Sequence, residues 1–436
     1  MKILLLSGGS GKRLWPLSND IRSKQFLKVM KSGNGETESM LQRVYRQIKE
    51  SGYGEDITIA TSAAQVESIR GQLGERLSIV IEPERRDTYP AIALAAAYLY
   101  FEKKCSLDET VIVLPVDPYV GKEYFHLLYK LDEAVQTGMS DIVLMGVHPT
   151  YPSEKYGYII PVNERVDWIN NILPVYSFKE KPDICMARDF IERGGLWNCG
   201  VFAFKLSYLM NIVQSNIVCN SYEDILYRYR DLDKISFDYA VVEKARSVAV
   251  AAYEGEWRDL GTWNTLTEVM NEEPIGDAIV SEDCRNTHVI NELKIPVVVM
   301  GASNMVVVAS PDGILVSDKE KSSYIKKYIK DRDLRPMYEE RSWGEYTVLN
   351  LSLDACGNRT VTKKKTIQEG KCIEETKHLH HLEVWTVLSG RAVISIKGRK
   401  HDAFAGDTFT IEKGVLHSLR AEEDTVLLEV QIEQKI

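Results

Sequence analysis

Short apolar runs alternate with longer helical patterns through the first 270 or so residues of the chain. Buried strands are indicated by the apolar runs KILLLSGG, DITIATS, SIVIEP, VIVLPVDP and DIVLMGVHP. Helices are indicated between them by MLQRVYRQIKESG, AAQVESIRGQL and AIALAAAYLYFEKK. Because this alternation is typical of strands joined by helices that cover both faces of a sheet, it predicts an α/β domain over this region.

The pattern changes after this region. Short β-rich runs, IPVVVMG, NMVVVAS and GILVSD, follow one another with Gly, Pro, Asn and Asp between them and predict a small all-β segment. A charged stretch, SSYIKKYIKDRDLRPMYEERSWG, is predicted to be helical, and the remaining residues alternate strands and turns. We therefore expect an α/β domain at 1–270, a β-rich linker at 271–335 and a separate β domain at 336–436.

Length and composition exclude several classes of protein. The 436 residues are enough for two or three domains, at roughly 150 residues per domain. Apolar residues make up 44% and charged residues 27%, as in ordinary globular proteins, and no apolar run has the length of a membrane span. The net charge of −9 argues against nucleic acid as a partner.

The cysteines and the N-terminus indicate a compartment. Seven cysteines without a CxxC spacing are typical of reduced thiols, and the first residues lack the length and cleavage site of a signal peptide. We expect a cytoplasmic protein that neither enters nor binds a membrane.

A glycine-rich turn directly follows the first strand. Gly8, Gly9 and Gly11 leave backbone amides available to phosphate oxygens, and Lys12 and Arg13 add positive charge. The turn therefore predicts a phosphate-binding loop.

Two common phosphate motifs do not fit this loop. A Walker A loop would need Gly where Leu6 stands and Ser or Thr where Arg13 stands, and a dinucleotide fingerprint would need Gly where Leu14 stands. A plain strand-to-helix turn would explain the glycines, but not the cations, which also include Lys24. Phosphate binding remains the better interpretation.

The segment GGSGKRLWPLSNDIRSKQFLKV resembles the signature of sugar-1-phosphate nucleotidylyltransferases, and its RLWPLS and KQFL portions are most similar to bacterial mannose-1-phosphate guanylyltransferases. Seven further blocks resemble the family in the same order along the chain. They are IEPERRDTYPAIALAAA (81–97), VIVLPVDP (111–118), GVHPTYPSEKYGYI (146–159), FKEKPD (178–183), LWNCGVFAF (196–204), ISFDYAVVEKA (235–245) and WRDLGTWNTL (257–266). Such an ordered set is highly specific.

The resemblance implies a Rossmann-like mixed sheet and a reaction. The phosphate oxygen of mannose 1-phosphate would attack the α-phosphate of GTP, giving GDP-mannose and pyrophosphate, so the enzyme would act by charge neutralisation and positioning. By motif position, Arg13 and Lys24 would hold the triphosphate. Asp117, after a strand, and Asp259, in WRDLG, would bind Mg²⁺.

The resemblance also implies residues for each substrate. On the sugar side, Lys181 would hold the phosphate, Glu180 and Asn198 would bind hydroxyls, and Gly157 would let the backbone approach the sugar. The implied nucleotide-binding residues are Gly8, Gly9, Gly11, Lys12, Arg86 and Asp87. Each residue alone has an ordinary alternative, since an Asp after a strand is most often a turn or helix cap. Their ordered occurrence favours the functional interpretation.

Four positions depart from the family pattern. Thr is usual where Lys12 stands, Pro where Ser23 stands, Asn where Asp87 stands and His where Pro118 stands. These changes leave open another base or another sugar, such as a manno-heptose 1-phosphate. An inactive nucleotide-sugar sensor is the alternative from a different functional class, although the presence of both metal-binding carboxylates argues against it.

Histidines are concentrated near the end of the chain. Of eight histidines, five follow residue 377, namely His378, His380, His381, His401 and His417. His378 and His380 are two residues apart and would share one face of a strand, with Glu383 shortly after and His417 beyond a turn. These side chains predict a metal site with three His ligands and one Glu ligand.

This pattern resembles the cupins, small β-barrels that bind a divalent transition metal such as Zn, Mn, Fe, Co or Ni. In long guanylyltransferases such a cupin is a mannose-6-phosphate isomerase domain, and SWGEYTVL (342–349) resembles its first block. Isomerase activity stays open, because Glu412 replaces the usual Pro near the second motif. The alternative is a cupin that serves dimerisation or metal-linked stability, and we expect a homodimer or higher homo-oligomer.

Overall fold

The structure is a computed structural model that describes residues 1–9, 12–19, 21–33, 35–54, 57–162, 172–329, 335–355 and 357–433. Contacts between Cα atoms divide the chain into two units. The first unit comprises Met1–Gly9, Met30–Val66 and Arg76–Leu260, and the second comprises Ser10–Val29, Glu67–Glu75 and Gly261–Ile436. Most of the segment that carries the family signature thus belongs to the second unit. Among the described helices none is long and apolar enough to cross a membrane.

Thirteen strands and eight α-helices are described in the first 260 residues. The strands are β1 (Lys2–Ser7), β2 (Met30–Lys31), β3 (Thr37–Glu38), β4 (Ile57–Ser62), β5 (Ser78–Glu82), β6 (Thr110–Pro115), β7 (Pro118–Val120), β8 (Ile142–Val147), β9 (Tyr158–Pro161), β10 (Ile172–Lys179), β11 (Leu196–Lys205), β12 (Val248–Tyr253) and β13 (Trp257–Asp259). The helices are α1 (Met40–Glu50), α2 (Val66–Leu73), α3 (Thr88–Ala97), α4 (Glu123–Gln136), α5 (Ile184–Glu192), α6 (Leu206–Asn216), α7 (Tyr222–Tyr227) and α8 (Phe237–Ala240).

Nine of these strands form one mixed sheet in the order β5-β4-β1-β6-β11-β8-β12-β10-β9. The strands β5, β4, β1 and β6 are parallel, as are β8 and β12, whereas β11 runs antiparallel between β6 and β8. The central strands are buried on both faces, which explains their continuous apolar sequences. This arrangement confirms the predicted Rossmann-like mixed sheet.

Local sequence explains how individual helices begin. Ser39 and Gln42 form a capping box at the start of α1, and Asp183 caps α5 by accepting hydrogen bonds from two backbone amides. Helix α3 consists almost entirely of apolar residues, and all of its residues from Tyr89 to Ala97 are buried. It is therefore a core helix rather than an amphipathic surface helix.

After residue 260 the second unit continues with a region composed mainly of short strands, as predicted. Its elements are α9 (Trp263–Thr267), β14 (Ala278–Val280), β15 (His288–Asn291), β16 (Val297–Val299), β17 (Met305–Ser310), β18 (Gly313–Asp318) and α10 (Lys326–Ile329). β14 pairs in parallel with β16, and β15 pairs in parallel with β17. These partners are joined through other strands rather than through a helix, an arrangement typical of a β-solenoid. We call residues 263–329 the β-solenoid.

The charged stretch that follows differs from the prediction. The helix expected from SSYIKKYIKDRDLRPMYEERSWG is limited to one short 3-10 turn and the four residues of α10, and Tyr338–Arg341 form a strand. Residues 330–334 of this stretch lie outside the described part. Pro336 disfavours helix, and pairing of Tyr338–Arg341 with the next strand outweighs the local helical pattern.

The last part of the second unit contains two antiparallel sheets. Its strands are β19 (Tyr338–Arg341), β20 (Gly344–Leu353), β21 (Arg359–Ile367), β22 (Cys372–Thr376), β23 (His381–Ser389), β24 (Arg391–Ile396), β25 (Arg399–Phe404), β26 (Thr408–Ile411), β27 (His417–Ala421) and β28 (Thr425–Glu433). Six strands are ordered β19-β20-β21-β28-β23-β26 and four are ordered β22-β27-β24-β25. Buried residues of both sheets, including Trp385, Ile394 and Leu419, form a common core.

Candidate functional site

The glycine turn after β1 lies against side chains from the last residues of β4 and β5 and from the turn that follows β4. Thr61 Oγ1 donates a hydrogen bond to the carbonyl oxygen of Ser7 at 2.9 Å, and Gln65 Nε2 donates to that of Gly9 at 3.1 Å. A Cβ atom on Gly8 would lie 3.1 Å from Glu82 Oε1, so a larger residue would press against this buried carboxyl group. The turn therefore keeps its backbone close to polar side chains.

Sequence analysis missed Gln65 and Glu82, although Glu82 lies inside the block IEPERRDT. Tyr229 Oη donates to Glu82 Oε2 at 2.9 Å, and burial raises the pKa of Glu82. Burial of this carboxyl group beside the turn disfavours its ionised form.

The signature loop, residues 12–29 apart from Asp20, contains three of the predicted phosphate-binding residues, Lys12, Arg13 and Lys24. Gly11 and the side chain of Lys12 lie outside the described part of the chain. Arg13 is exposed on a short 3-10 helix, Lys12–Leu14, and Lys24 begins a second one, Lys24–Phe26. Both helices belong to the second unit.

Arg86 and Asp87 stand at the beginning of α3. The guanidinium of Arg86 pairs with Glu84 Oε1 at 2.8 Å and donates to the carbonyl oxygen of Leu232 at 3.0 Å. Asp87 has a positive φ of 71° and accepts a hydrogen bond from the backbone amide of Thr88 at 2.8 Å. Both side chains make hydrogen bonds within the protein, and their nucleotide-binding role stays a prediction.

The two predicted Mg²⁺ ligands are brought together by a two-stranded ribbon. β7 pairs antiparallel with β13, and Pro118 is the direct partner of Asp259. Since partner residues in such a ribbon have Cα atoms roughly 4.5–5.5 Å apart, Asp117, which precedes Pro118, stands close to Asp259 along the backbone. Both aspartates are half-buried. Two neighbouring carboxylates suit a hard cation such as Mg²⁺.

Aromatic side chains lie beside this carboxylate pair. The ring of Tyr156 is 4.7 Å from that of Trp197 and 5.6 Å from that of Trp257, between centroids. Burial raises the pKa of Tyr156, and the negative charge of Asp259 raises it further. These rings pack mainly against one another.

Gly157 lies against two other predicted sugar-binding residues, Glu180 and Asn198. The backbone amide of Asn198 donates to the carbonyl oxygen of Gly157 at 2.8 Å. A Cβ atom on Gly157 would lie 2.5 Å from Glu180 Oε2 and 3.4 Å from Asn198 Cβ. Only glycine fits here without displacing the buried carboxyl group of Glu180, so the structure gives Gly157 a definite steric role.

Lys181 joins this group through an ion pair with Glu180. The backbone of Lys181 has a positive φ of 45°, which is uncommon for a residue with a side chain. Burial opposes its positive charge, but the hydrogen bond with Glu180 and the negative charges of Glu180 and Asp238 together outweigh burial and raise the pKa of Lys181. The ammonium group is therefore charged and half-exposed, as a phosphate-binding group needs to be.

Asp238 is a member of the same group that sequence analysis did not single out. Its Oδ1 atom accepts a hydrogen bond from Asn198 Nδ2 at 2.7 Å. Burial, and then the negative charge of Glu180, raises the pKa of Asp238 to about 7. The block ISFDYAVVEKA contained the residue, but its proximity to Glu180 and Asn198 depends on the tertiary fold.

The C-terminal β domain contains a compact group of possible metal ligands. One ligand atom each from His378, Glu383 and His417 lies within 4.8 Å of the others. His378 Nε2 is 3.3 Å from Glu383 Oε1, and His417 Nε2 is 3.4 Å from Glu383 Oε2. Glu383 and His417 are buried. Two imidazoles and a carboxylate suit a divalent transition metal, so the residues fit the group that the cupin pattern implies.

The structure differs from the sequence prediction at His380. Its side chain is exposed, whereas His381 Nε2 lies 3.0 Å from Glu383 Oε1 and the His381 ring stacks on that of His378. The prediction assumed strand alternation through His378 and His380. β23 begins only at His381, so the alternation does not extend to the two earlier histidines.

Further polar side chains hold Glu383 in place. Trp385 Nε1 donates to Glu383 Oε2 at 2.9 Å, and Gln431 Nε2 donates to Oε1 at 3.1 Å. Burial alone would raise the pKa of Glu383, but pairing with His417 and the charge of Lys365 hold it well below the usual range. The carboxylate is thus ionised and oriented toward the histidines.

Comparisons with known proteins find matches for both the α/β region and the C-terminal β domain of the chain. The family model described as Nucleotidyl transferase matches residues 2–274, and the model described as Cupin domain matches residues 364–431. Alginate biosynthesis protein AlgA of Pseudomonas putida is 30% identical over 425 residues, which cover 90% of this chain and 84% of that protein. Mannose-1-phosphate guanylyltransferase RfbM of Salmonella typhimurium is 28% identical over 464 residues, which cover 99% of this chain and 93% of that protein.

A solved structure shares the fold. It is described as a mannose-1-phosphate geranyltransferase from Thermus thermophilus, is 28% identical, and covers 76% of this chain and 98% of its own, with a TM-score of 0.61. The match to the first family model covers more than half of the sequence. The chain therefore belongs to the nucleotidyl transferase family and carries a cupin domain near its C-terminus.

Proposed function

We propose that this protein transfers a guanylyl group from GTP to mannose 1-phosphate, forming GDP-mannose and releasing pyrophosphate. The observation that carries the proposal is the β7–β13 pairing, which sets Asp259 opposite Pro118 and hence beside Asp117. The nearly full-length similarity to a mannose-1-phosphate guanylyltransferase supports the choice of substrates. Catalysis then depends on placing two anionic substrates together and neutralising their charge.

The polar group around Gly157 is suited to a sugar phosphate. Lys181 presents an ammonium group to the phosphate, and Glu180 and Asn198 present oxygen and nitrogen atoms to the sugar hydroxyls. Asp238, with its pKa near neutrality, can accept or donate a hydrogen bond to the same ligand. The close packing of Glu180 against Gly157 restricts where that carboxyl group can lie.

The nucleotide side of the reaction is assigned to the glycine turn and the signature loop. Backbone amides near Gly8 and Gly9 would bind phosphate oxygens, and Arg13 and Lys24 would bind the triphosphate. Arg86 and Asp87 would contribute from the start of α3. When Mg²⁺ is held by Asp117 and Asp259, it supplies positive charge that offsets the charge of the phosphates.

The test is pyrophosphate release from GTP, ATP, UTP, CTP and dTTP, each paired with mannose 1-phosphate, glucose 1-phosphate and a manno-heptose 1-phosphate. We expect GTP with mannose 1-phosphate to give the highest kcat/KM by at least about tenfold, since a pocket built around specific polar groups rejects ligands that leave them unpaired. A preference for another pair would show altered specificity, consistent with the departures at Lys12, Asp87 and Pro118. No turnover with any pair would favour the inactive sensor.

A second candidate activity is the isomerisation of mannose 6-phosphate and fructose 6-phosphate in the cupin. The buried group of His378, Glu383 and His417 favours it, because a bound divalent metal such as Zn, Mn, Fe, Co or Ni can polarise a sugar carbonyl oxygen. Incubation of the metal-loaded protein with mannose 6-phosphate tests this directly. If metal binds and no fructose 6-phosphate forms, the cupin serves stability or assembly instead.

The proposal also covers organisation and location. We propose three domains, at residues 1–270, 271–335 and 336–436. We also propose that the protein is a homo-oligomer and is located in the cytoplasm. The free cysteines among the described residues are compatible with a reducing compartment. Equilibrium sedimentation and cell fractionation test the last two points.

A further inference from the structure

The signature loop, residues 12–29 apart from Asp20, is bonded to the β-solenoid that follows the α/β region. Trp263 Nε1 donates to the carbonyl oxygen of Trp15 at 3.0 Å, and Ser310 Oγ donates to that of Pro16 at 3.0 Å. Both donors come from parts of the chain about 250 to 290 residues downstream of the loop. The loop that carries Arg13 and Lys24 is thus held partly from outside the nucleotidyl transferase sheet.

The strongest of these attachments is the ion pair between Arg22 and Glu292. Nη1 donates to Oε2 and Nη2 donates to Oε1, both at 2.8 Å, so the pair is bidentate. The side chain of Arg22 is only 10% exposed, and its guanidinium lies 4.9 Å from the centroid of the Tyr338 ring. A bidentate pair of planar groups fixes orientation as well as distance.

A neighbouring network fixes the same turn of the loop. Asn19 Oδ1 accepts hydrogen bonds from the backbone amides of Ile21 and Arg22, and Asn19 Nδ2 donates to Asp312 Oδ2 at 2.8 Å. Asp312 Oδ1 in turn accepts from the backbone amide of Met337. The conformation of the loop just before Lys24 therefore depends on residues of both the solenoid and the entry to the cupin.

We propose that Arg22 and Glu292 are positioning residues for nucleotide binding, which act by holding the signature loop in its binding conformation. This inference rests on the proposed function, in which Arg13 and Lys24 bind the triphosphate. Arg22 is two residues before Lys24, so a rotation of the Arg22 backbone moves Lys24 directly. The pair lies within the second unit and need not touch the nucleotide.

Breaking the ion pair between Arg22 and Glu292 is strongly unfavourable in free energy. If Glu292 loses its charge, Arg22 retains a largely buried positive charge without its carboxylate partner. The loop can relieve this by turning Arg22 toward water, which would also shift Lys24. Because the proposed function places Lys24 on the triphosphate, a small displacement of Lys24 is enough to weaken binding of GTP substantially.

The decisive variant is Glu292→Gln, which keeps the size of the side chain and removes its charge. We expect the KM for GTP to rise about tenfold and the KM for mannose 1-phosphate to stay within about twofold. Hydrogen exchange of the backbone amides at 21–29 should accelerate, whereas exchange in β1, β6 and β8 should not change. The matched control is Asp318→Asn, on the same solenoid, where Asp318 bonds Asn304 and not the loop.

Several results would overturn the inference. A merely structural pair would lower the fraction of active enzyme, so kcat would fall with both KM values unchanged. Unchanged exchange at 21–29 would show that the pair does not hold the loop. If Glu292→Gln does not fold, Arg22→Lys keeps the charge with a single donor group, and it should give a smaller change in the same direction.

The two proposals fail separately. If the wild-type protein turns over no nucleotide, the proposed function fails, and hydrogen exchange at 21–29 still decides whether Arg22 and Glu292 hold the loop. If the wild-type protein is active but the GTP KM of Glu292→Gln is unchanged, the positioning role is wrong and the proposed function stands.

Discussion

Asn198 Nδ2 donates a 2.7 Å hydrogen bond to Asp238 Oδ1 in the group that we assign to the sugar phosphate. Burial and the charge of Glu180 raise the pKa of Asp238 to about 7, whereas an Asp in an unfolded chain titrates near 4. Between these pH values the folded state binds more protons than the unfolded state. The contribution of Asp238 to stability therefore decreases as the pH rises from about 4 to about 7.

The variant Asp238→Asn should be more stable than wild type above neutral pH. It keeps an oxygen that can accept from Asn198 and removes the buried charge. We expect a gain in the free energy of unfolding on the order of 1–3 kcal/mol at pH 8 and no difference below about pH 4. Urea denaturation across this pH range measures both values. A difference that is the same at every pH would contradict the assignment.

Asp259→Asn should abolish most of the transferase activity. Removing one carboxylate weakens the predicted Mg²⁺ site, and we expect kcat to fall by roughly 100-fold or more with little change in melting temperature. The matched control is Glu256→Gln in the same segment, where Glu256 pairs with Arg258 at 2.8 Å. Pyrophosphate release should stay within about twofold of wild type for this control. Equal loss in both variants would argue against a specific metal role.

Gly157→Ala should weaken binding of the sugar phosphate. The new methyl group would displace Glu180, which lies 2.5 Å from the position of a Cβ atom. We expect the KM for mannose 1-phosphate to rise roughly tenfold and the KM for GTP to change little. Gly33→Ala is the control, because no heavy atom lies within 4 Å of a Cβ atom there. An unchanged KM in Gly157→Ala would remove Glu180 from the sugar site.

His417→Ala should eliminate metal binding by the cupin. His417 is buried against Glu383, whereas His380 is exposed, so His380→Ala is the matched control. Elemental analysis after loading with Zn²⁺ or Mn²⁺ should find about one ion per chain in wild type and in His380→Ala, and almost none in His417→Ala. Loss of metal in His380→Ala would instead support the ligand set expected from the histidine spacing.

Local sequence patterns explain most of the secondary structure. They also explain most of the polar residues that we assign to sugar-phosphate binding. The apolar runs match buried strands, and the blocks around Gly157, Glu180 and Asn198 contain residues that meet in space. The helix predicted after residue 320 was wrong at Tyr338–Arg341, where pairing with β20 outweighs the helical pattern. At the histidines, the start of β23 at His381 decided which side chains face Glu383.

The alternation of strands and helices, the glycine turn and the ordered family blocks can be read along the chain, because each depends on neighbouring residues. Three other contacts require the folded protein: Asp259 pairs opposite Pro118, Asp238 accepts from Asn198, and Glu292 binds Arg22. These contacts join residues that are 40 to 270 positions apart. They are set by strand register and by the burial of charge, which emerge only when distant segments pack together.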